Sequence, residues 1–299
     1  MEVVRYLNNK GYRTYLSGQN VWGACDFSVV NNYQYVIHLG HALPPNIFRI
    51  ISNNFRVRRR GGSGDVIIIE VENGPTVLFS AIYYEPKPEL LSRARDVLND
   101  LVKSGINPFI AYSLPYKLYA HEIAEMLNAP MAPDPITGCF IQFSIPNTVL
   151  FISSGYFYPL TFKFLRPQTT VYLFDVFRGT LENVDTVYRR YLAMKVKAIQ
   201  DFNNAKLVGI AISRKPGQYR PDLVEALINR LRRLGKDFVI IDLNEVSPDY
   251  VNNLPVDAVV NTACPRIGID DLDRFMKPVV NAGDVLKVNS LDLNNLLVW

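Results

Sequence analysis

Residues 207–242 read LVGIAISRKPGQYRPDLVEALINRLRRLGKDFVIID. Residues 207–212 form a short apolar run, 221–234 carry the spacing of an amphipathic helix, and 238–242 form a second apolar run. Gly235 falls between helix and second run, where a helix end takes a left-handed residue that glycine supplies without a Cβ penalty. Strand, helix, glycine and strand make one βαβ unit, whose two strands are expected to lie parallel.

The same plan recurs twice upstream. A strand over 76–82, a helix over about 88–104, Gly105 and a strand over 108–112 make a second copy. A helix over 3–9, Gly11 and an apolar run over 12–16 make the first. Three copies of one supersecondary plan predict three α/β units. The first copy opens inside its helix. Because a doubly wound sheet keeps the opening strand in its interior, either that strand lies upstream of Met1, the reading favoured, or this version has lost it. Further strands are expected at 35–39 and 66–69, at 149–152 and 171–174, and at 258–260 and 278–280. Their alternation with helices predicts parallel sheets. A long polar helix over about 184–205 joins the second unit to the third. The expected domains are therefore 1–74, 75–179 and 180–299, each Rossmann-like.

Composition bounds the function. The chain has 299 residues, 48% hydrophobic and 20% charged, enough for two or three compact units. No stretch approaches the ~20 apolar residues of a membrane helix, and Met1–Arg5 carries no signal-peptide pattern. A cytoplasmic protein is the expectation, with no membrane partner. The net charge of +4 does not argue for direct nucleic-acid binding. Arg56, Arg58, Arg59 and Arg60, followed by Gly61-Gly62, form the one basic cluster of note. It reads as a solvated surface loop, or more sharply as a docking patch for an acidic or RNA-containing partner.

The three cysteines are an odd number and far apart, which argues against a disulfide framework. Each follows a small residue: Gly23-Ala24-Cys25-Asp26, Thr137-Gly138-Cys139-Phe140 and Thr262-Ala263-Cys264-Pro265. Small neighbours let backbone approach a bulky ligand. No Cys-x-x-Cys is present, which argues against structural zinc. One cysteine per unit, converging at a central site with pseudo-threefold symmetry, would suit a [4Fe–4S] cluster. Such clusters usually take four cysteines. Three leave one iron open, which favours catalysis over simple electron transfer.

Gly23-Ala24-Cys25-Asp26, Ile37-His38-Leu39-Gly40-His41, Ser213-Arg214-Lys215-Pro216-Gly217-Gln218 and the run from Thr262-Ala263-Cys264-Pro265 through Arg266-Ile267-Gly268-Ile269-Asp270-Asp271 resemble the diphthamide synthesis enzyme family. The archaeal members are the nearest in pattern, over about 1–285. The resemblance implies Cys25, Cys139 and Cys264 as ligands of a [4Fe–4S] cluster whose open iron engages S-adenosylmethionine. It implies a noncanonical radical transferase, a 2-(3-amino-3-carboxypropyl)histidine synthase. This enzyme cleaves the bond from sulfur to the methionine γ-carbon and transfers the 3-amino-3-carboxypropyl group to a histidine of translation elongation factor 2. It further implies a homodimer, or a heterodimer with a paralogue, and an electron donor that the sequence does not identify. One departure stands out. The family's Gly-x-Phe-His-Pro is here Gly155-Tyr156-Phe157-Tyr158-Pro159, with a tyrosine that stacks and donates but does not take up a proton near neutral pH.

The remaining candidates each have two readings. His38 and His41 are hydrogen-bonded structural histidines, or His41 faces the cluster as a catalytic residue. Lys215, Gly217 and Gln218 hold S-adenosylmethionine, or simply turn the chain. Arg266 pairs with the substrate carboxylate, or with Asp270 or Asp271. His121 is read as a surface residue. Two rival functions stand beside the transferase: an electron-relaying partner subunit of the same pathway, and a dehydratase resembling quinolinate synthase.

Overall fold

The computed structural model describes residues 2–18, 21–27, 32–61, 65–137, 141 and 144–286, with no side-chain description at 60 and 61. The described residues form three four-stranded sheets. The first unit contains α1 (Glu2–Asn9), β1 (Tyr35–Leu39), α2 (Pro45–Asn54), β2 (Val57–Gly61), β3 (Val66–Val71) and β4 (Thr76–Ser80). Its strand order is β1-β4-β3-β2. The second contains α3 (Pro88–Lys103), β5 (Phe109–Tyr112), α4 (Lys117–Leu127), β6 (Thr148–Ile152), α5 (Phe157–Leu165), β7 (Thr170–Asp175) and β8 (Thr180–Asn183), ordered β5-β6-β7-β8. The third contains α6 (Asp185–Asn204), β9 (Leu207–Ser213), α7 (Pro221–Arg233), β10 (Asp237–Leu243), α8 (Pro248–Val251), β11 (Ala258–Asn261), β12 (Val279–Asn281) and α9 (Ala282–Leu286), ordered β10-β9-β11-β12.

The three-unit α/β expectation is met, and the repeated helix stop is visible in the backbone. Gly11, Gly105 and Gly235 all have positive φ, from 65° to 87°. Three expectations are corrected. The strand read as opening the second unit is β4, which pairs with β1 and β3 and so belongs to the first sheet. Nor are the sheets uniformly parallel. The third is, but β2, β3 and β4 run as an antiparallel meander, and β8 is antiparallel to β7. Connections as short as the one from Val71 to Thr76 cannot carry the crossover that parallel strands require. Finally, residues 12–16 form no strand, and Tyr12, Tyr15 and Leu16 are exposed. The Tyr12 amide turns back instead to the Leu7 carbonyl of α1 at 3.1 Å.

Arg58, Arg59 and Arg60 lie on β2 rather than in a loop, with Arg56 just before it. Arg58 opposes Glu70 across the ladder and pairs with it at 2.9 Å, while Arg56 meets Glu72 at 3.2 Å. These pairs are exposed and contribute little to stability; charge on an edge strand discourages unwanted strand pairing.

The first sheet buries Val77, Phe79, Ile69 and Val71 against Ile47, Ile50 and Ile51 of α2. The second and third units share one core. Phe151, Val171 and Leu173 meet Phe162 and Phe164 of α5, and α6 carries the cluster through Tyr188, Ile199 and Phe202 to Val208 and Ile210 of β9. Each large apolar side chain so buried contributes about 1.5–3 kcal/mol. That continuous core fixes the second sheet relative to the third, and with it the loops leaving their strands.

Candidate functional site

Open α/β sheets present ligands beyond the carboxyl ends of their strands. Here those ends converge on a cavity of about 260 Å³. His41 reaches it from beyond β1, Phe157 and Tyr158 from beyond β6, and Lys215, Gly217 and Gln218 from beyond β9. Glu245 arrives from beyond β10, and Cys264 and Arg266 from beyond β11. Cys25 lines the same cavity from the segment between α1 and β1. Cys139 lies outside the described residues, but Thr137, two positions earlier, lines the cavity. Neither Cys25 nor Cys264 is in a disulfide.

The loop after β9 grips the Cys25 segment. The Gly217 amide donates to the Cys25 carbonyl at 2.9 Å, and Gln218 Nε2 donates to Cys25 Sγ at 3.3 Å. Lys215 Nζ donates to Asp26 Oδ2 at 2.6 Å and lies 3.8 Å from Glu245 Oε2. Trp22 Nε1 donates to Glu245 Oε1 at 2.9 Å, and the Trp22 amide to Asp26 Oδ2 at 3.2 Å. A Cβ on Gly217 would sit 2.5 Å from Cys25 Cα, so only glycine allows this approach. Lys215, Gly217 and Gln218 therefore do more than turn the chain: they tie unit three to the cysteine of unit one.

Cys264 is held by residues that the sequence reading missed. Asn261 Nδ2 donates to the Cys264 carbonyl at 2.9 Å and to Asn281 Oδ1 at 2.8 Å; Asn281 Nδ2 donates to the Pro265 carbonyl at 2.9 Å. Beneath them, Lys195 Nζ donates to Asp284 Oδ2 at 2.6 Å and to the Gly268 carbonyl at 3.3 Å. The Asn281 amide donates to the same Asp284 oxygen at 2.9 Å. All four side chains are buried, and a buried charge needs such a partner. The legible signal was slight: an asparagine ending the apolar run before Thr262, and another ending the run before Ala282.

Arg266 lies 3.2 Å from Asp270, 3.5 Å from Asp271, and 5.7 Å from the Phe157 ring centre. Of its two sequence readings, the ion pair is the contact present here. Burial pushes the Asp270 carboxyl up to about 7, outweighing the opposing pull of Arg266. His38 Nε2 and His41 Nδ1 are 3.0 Å apart, and His38 packs 5.0 Å from Phe79, ring centre to ring centre. Burial, then His41, lowers His38 to about 4; burial also lowers His41, against the pull of Asp26. His41 lines the cavity and His38 lies behind it. Tyr158 lines the cavity with its ring stacked on Phe151 at 6.0 Å. His121 is exposed, 3.5 Å from Glu125.

The described residues contain no ready-made group of three metal-ligating side chains. The donor set nevertheless fits an iron–sulfur cluster: two thiols from different units open onto one space, a third cysteine is two positions beyond another lining residue, and a backbone cradle is closed to anything but glycine. No helix among the described residues is long and apolar enough to cross a membrane.

The fold and site define a class: three α/β units facing one cavity, which a cysteine from the first unit and another from the third both line. Within it, the chain belongs to the diphthamide synthesis protein family, whose profile matches residues 76–290. It is 25% identical over 281 residues to the 2-(3-amino-3-carboxypropyl)histidine synthase of Methanocaldococcus jannaschii, covering 91% of this chain and 73% of that one. To subunit 1 of the human 2-(3-amino-3-carboxypropyl)histidine synthase it is 30% identical over 154 residues, covering 50% of this chain and 35% of that one. The chain thus spans about a third of the human relative's length. The crystal structure of Dph2 from Pyrococcus horikoshii with a 4Fe–4S cluster superposes with a TM-score of 0.70 at 20% identity, over 95% of this chain and 80% of that one. A second structure of the same protein gives a TM-score of 0.71.

Proposed function

We propose that this chain transfers the 3-amino-3-carboxypropyl group of S-adenosylmethionine to a histidine of translation elongation factor 2, the first step of diphthamide synthesis. The observation that carries the reading is the meeting of Cys25 and Cys264, from separate units, at one cavity that Thr137 also lines. Cys25, Cys139 and Cys264 would hold a [4Fe–4S] cluster as thiolates. When bound, that group supplies the electron that cleaves the sulfur–γ-carbon bond, giving the noncanonical radical chemistry of the family.

The chain's own residues do the rest. The loop of Lys215, Gly217 and Gln218 orients Cys25, and the same loop holds S-adenosylmethionine against the cavity wall. Arg266 offers its guanidinium to the methionine carboxylate, shared with Asp270 and Asp271. His41 is kept neutral by burial. When its Nδ1–H is donated to His38, its Nε2 lone pair is left to accept the proton released from the substrate imidazole carbon. Phe157, Tyr158 and Ile47 line the cavity with apolar surface that excludes water.

The finer points belong to the same proposal. The protein works in the cytoplasm as a homodimer or with a paralogue, and takes its electron from an external one-electron donor. The three units divide after β4 and after β8, a few residues beyond the boundaries at 74 and 179 that the sequence suggests, because β4 pairs with β1 and β8 with β7.

The test is anaerobic reconstitution with iron and sulfide, followed by electron paramagnetic resonance of the reduced protein with and without S-adenosylmethionine. A [4Fe–4S]⁺ signal that changes on adding it, together with modification of elongation factor 2, supports the transferase. A signal indifferent to S-adenosylmethionine favours an electron-relaying subunit, and a chain that holds no iron refutes both.

A further inference from the structure

We propose that the side-chain amide of Gln218 tunes the redox centre through Cys25, its Nε2–H donating to Cys25 Sγ and raising the reduction potential of the cluster that Cys25 helps hold. The inference rests on the cluster reading above and adds a role to a residue of the third unit acting on a ligand of the first.

The contact is built rather than incidental. Gln218 is buried at 5% exposure, and its Nε2 lies 3.3 Å from the sulfur. Its backbone is fixed by a tight turn: the Gln218 amide donates to the Lys215 carbonyl at 2.9 Å, and the Tyr219 amide to the same carbonyl at 3.0 Å. One residue earlier, Gly217 donates to the Cys25 carbonyl at 2.9 Å, with no room between the two backbones for a methyl group. Lys215, buried and paired with Asp26, pins the residue after the cysteine. Three successive anchors therefore leave the Gln218 side chain little choice of position.

The chemistry fixes the direction of the bond. A thiolate sulfur only accepts hydrogen bonds, so the amide presents its NH₂ end to it. A donor at a ligand sulfur draws electron density from the metal–thiolate bond and stabilises the reduced, more negative state. Burial strengthens the effect, because little solvent screens the amide dipole.

The test compares the wild-type chain with Gln218→Leu and Gln218→Met, two apolar side chains of similar bulk that cannot donate. Each is reconstituted anaerobically and assayed for iron and sulfide. It is then titrated potentiometrically by electron paramagnetic resonance and examined by pulsed electron–nuclear double resonance after exchange into D₂O. The expected result is full iron in all three proteins, a shift to more negative potential in both variants, and loss of one exchangeable deuteron coupling seen in the wild type. A role confined to packing would leave that coupling in place. Equal potentials with the deuteron retained, at full iron content, overturn this inference alone. A wild-type chain that takes up no iron overturns the cluster reading, and this inference with it.

Discussion

Gly217→Ala inserts one methyl group where the structure has no room for it. The new Cβ would lie 2.5 Å from Cys25 Cα, 2.7 Å from Cys25 Cβ and 2.8 Å from Ile47 Cγ2. Carbon atoms rest at about 3.5–4.0 Å, so the two segments must part by roughly 1 Å. Neither of the first two contacts is a side-chain tip that can rotate away; the backbone itself must shift. That motion stretches the 2.9 Å bond from Gly217 to the Cys25 carbonyl and withdraws Gln218 from the sulfur. Overpacking of this kind costs about 1–3 kcal/mol, which corresponds to a fall in melting temperature of roughly 2–5 °C for a chain of this size. Gly209→Ala is the control. Its Cβ would approach Ile241 Cδ1 at 2.5 Å, a flexible side-chain end far along the sequence from either described cysteine. The assay is iron content after anaerobic reconstitution, with melting followed by circular dichroism. Gly217→Ala is expected to lose most of its iron and Gly209→Ala to keep it. A Gly217→Ala protein with full iron and an unchanged melting temperature refutes the clamp.

Asp270 sets a pH dependence of stability. Its carboxyl is raised from 3.8 to about 7, so between these values the folded chain holds a proton that the unfolded chain has released, and unfolding free energy falls as pH rises. The effect is on the order of 4 kcal/mol at most; urea midpoints at pH 4.5 and 7.5 should converge in Asp270→Asn, and identical slopes in the two proteins refute the assignment. Lys195→Met strands the buried Asp284 carboxylate and should cost about 3–5 kcal/mol, whereas the double change with Asp284→Leu should recover part of it, the Asn281 amide and Gly268 carbonyl losing their partners. Urea denaturation of both variants checks this, and equal losses count against the pairing. His41→Ala should retain iron yet lose at least tenfold in transfer to elongation factor 2, as expected for a proton acceptor; unchanged transfer removes His41 from the reaction.

Elements with short-range causes were readable in the sequence. The strand Tyr35–Leu39 lies where its apolar run stands, and the helices ending before Gly105 and Gly235 stop at those glycines, because a helix end is settled by a few neighbouring residues. One cysteine per repeat was likewise visible, and with it the expectation of a shared site. The partner of a strand is a different matter. Thr76–Ser80 has the composition of an opening parallel strand, yet the four residues before it close a turn back onto β3 and commit it to the first sheet.

The interior of the site was decided by packing alone. Gln218 and Cys25 are 193 residues apart in sequence, and only the placement of the loop after β9 against the first unit brings amide to sulfur. Lys195 stands in a helix that reads as a polar link between two units, but α6 packs into their shared core and turns that lysine inward to Asp284 and the Gly268 carbonyl. Local periodicity tells which residues can leave water; it does not tell which distant segment they meet there. The sequence by itself therefore determined the units and the cysteines they carry. The tertiary structure decided which glycine, amide and ion pair hold those cysteines in place, since a close approach between remote segments exists only once the cores between them are packed.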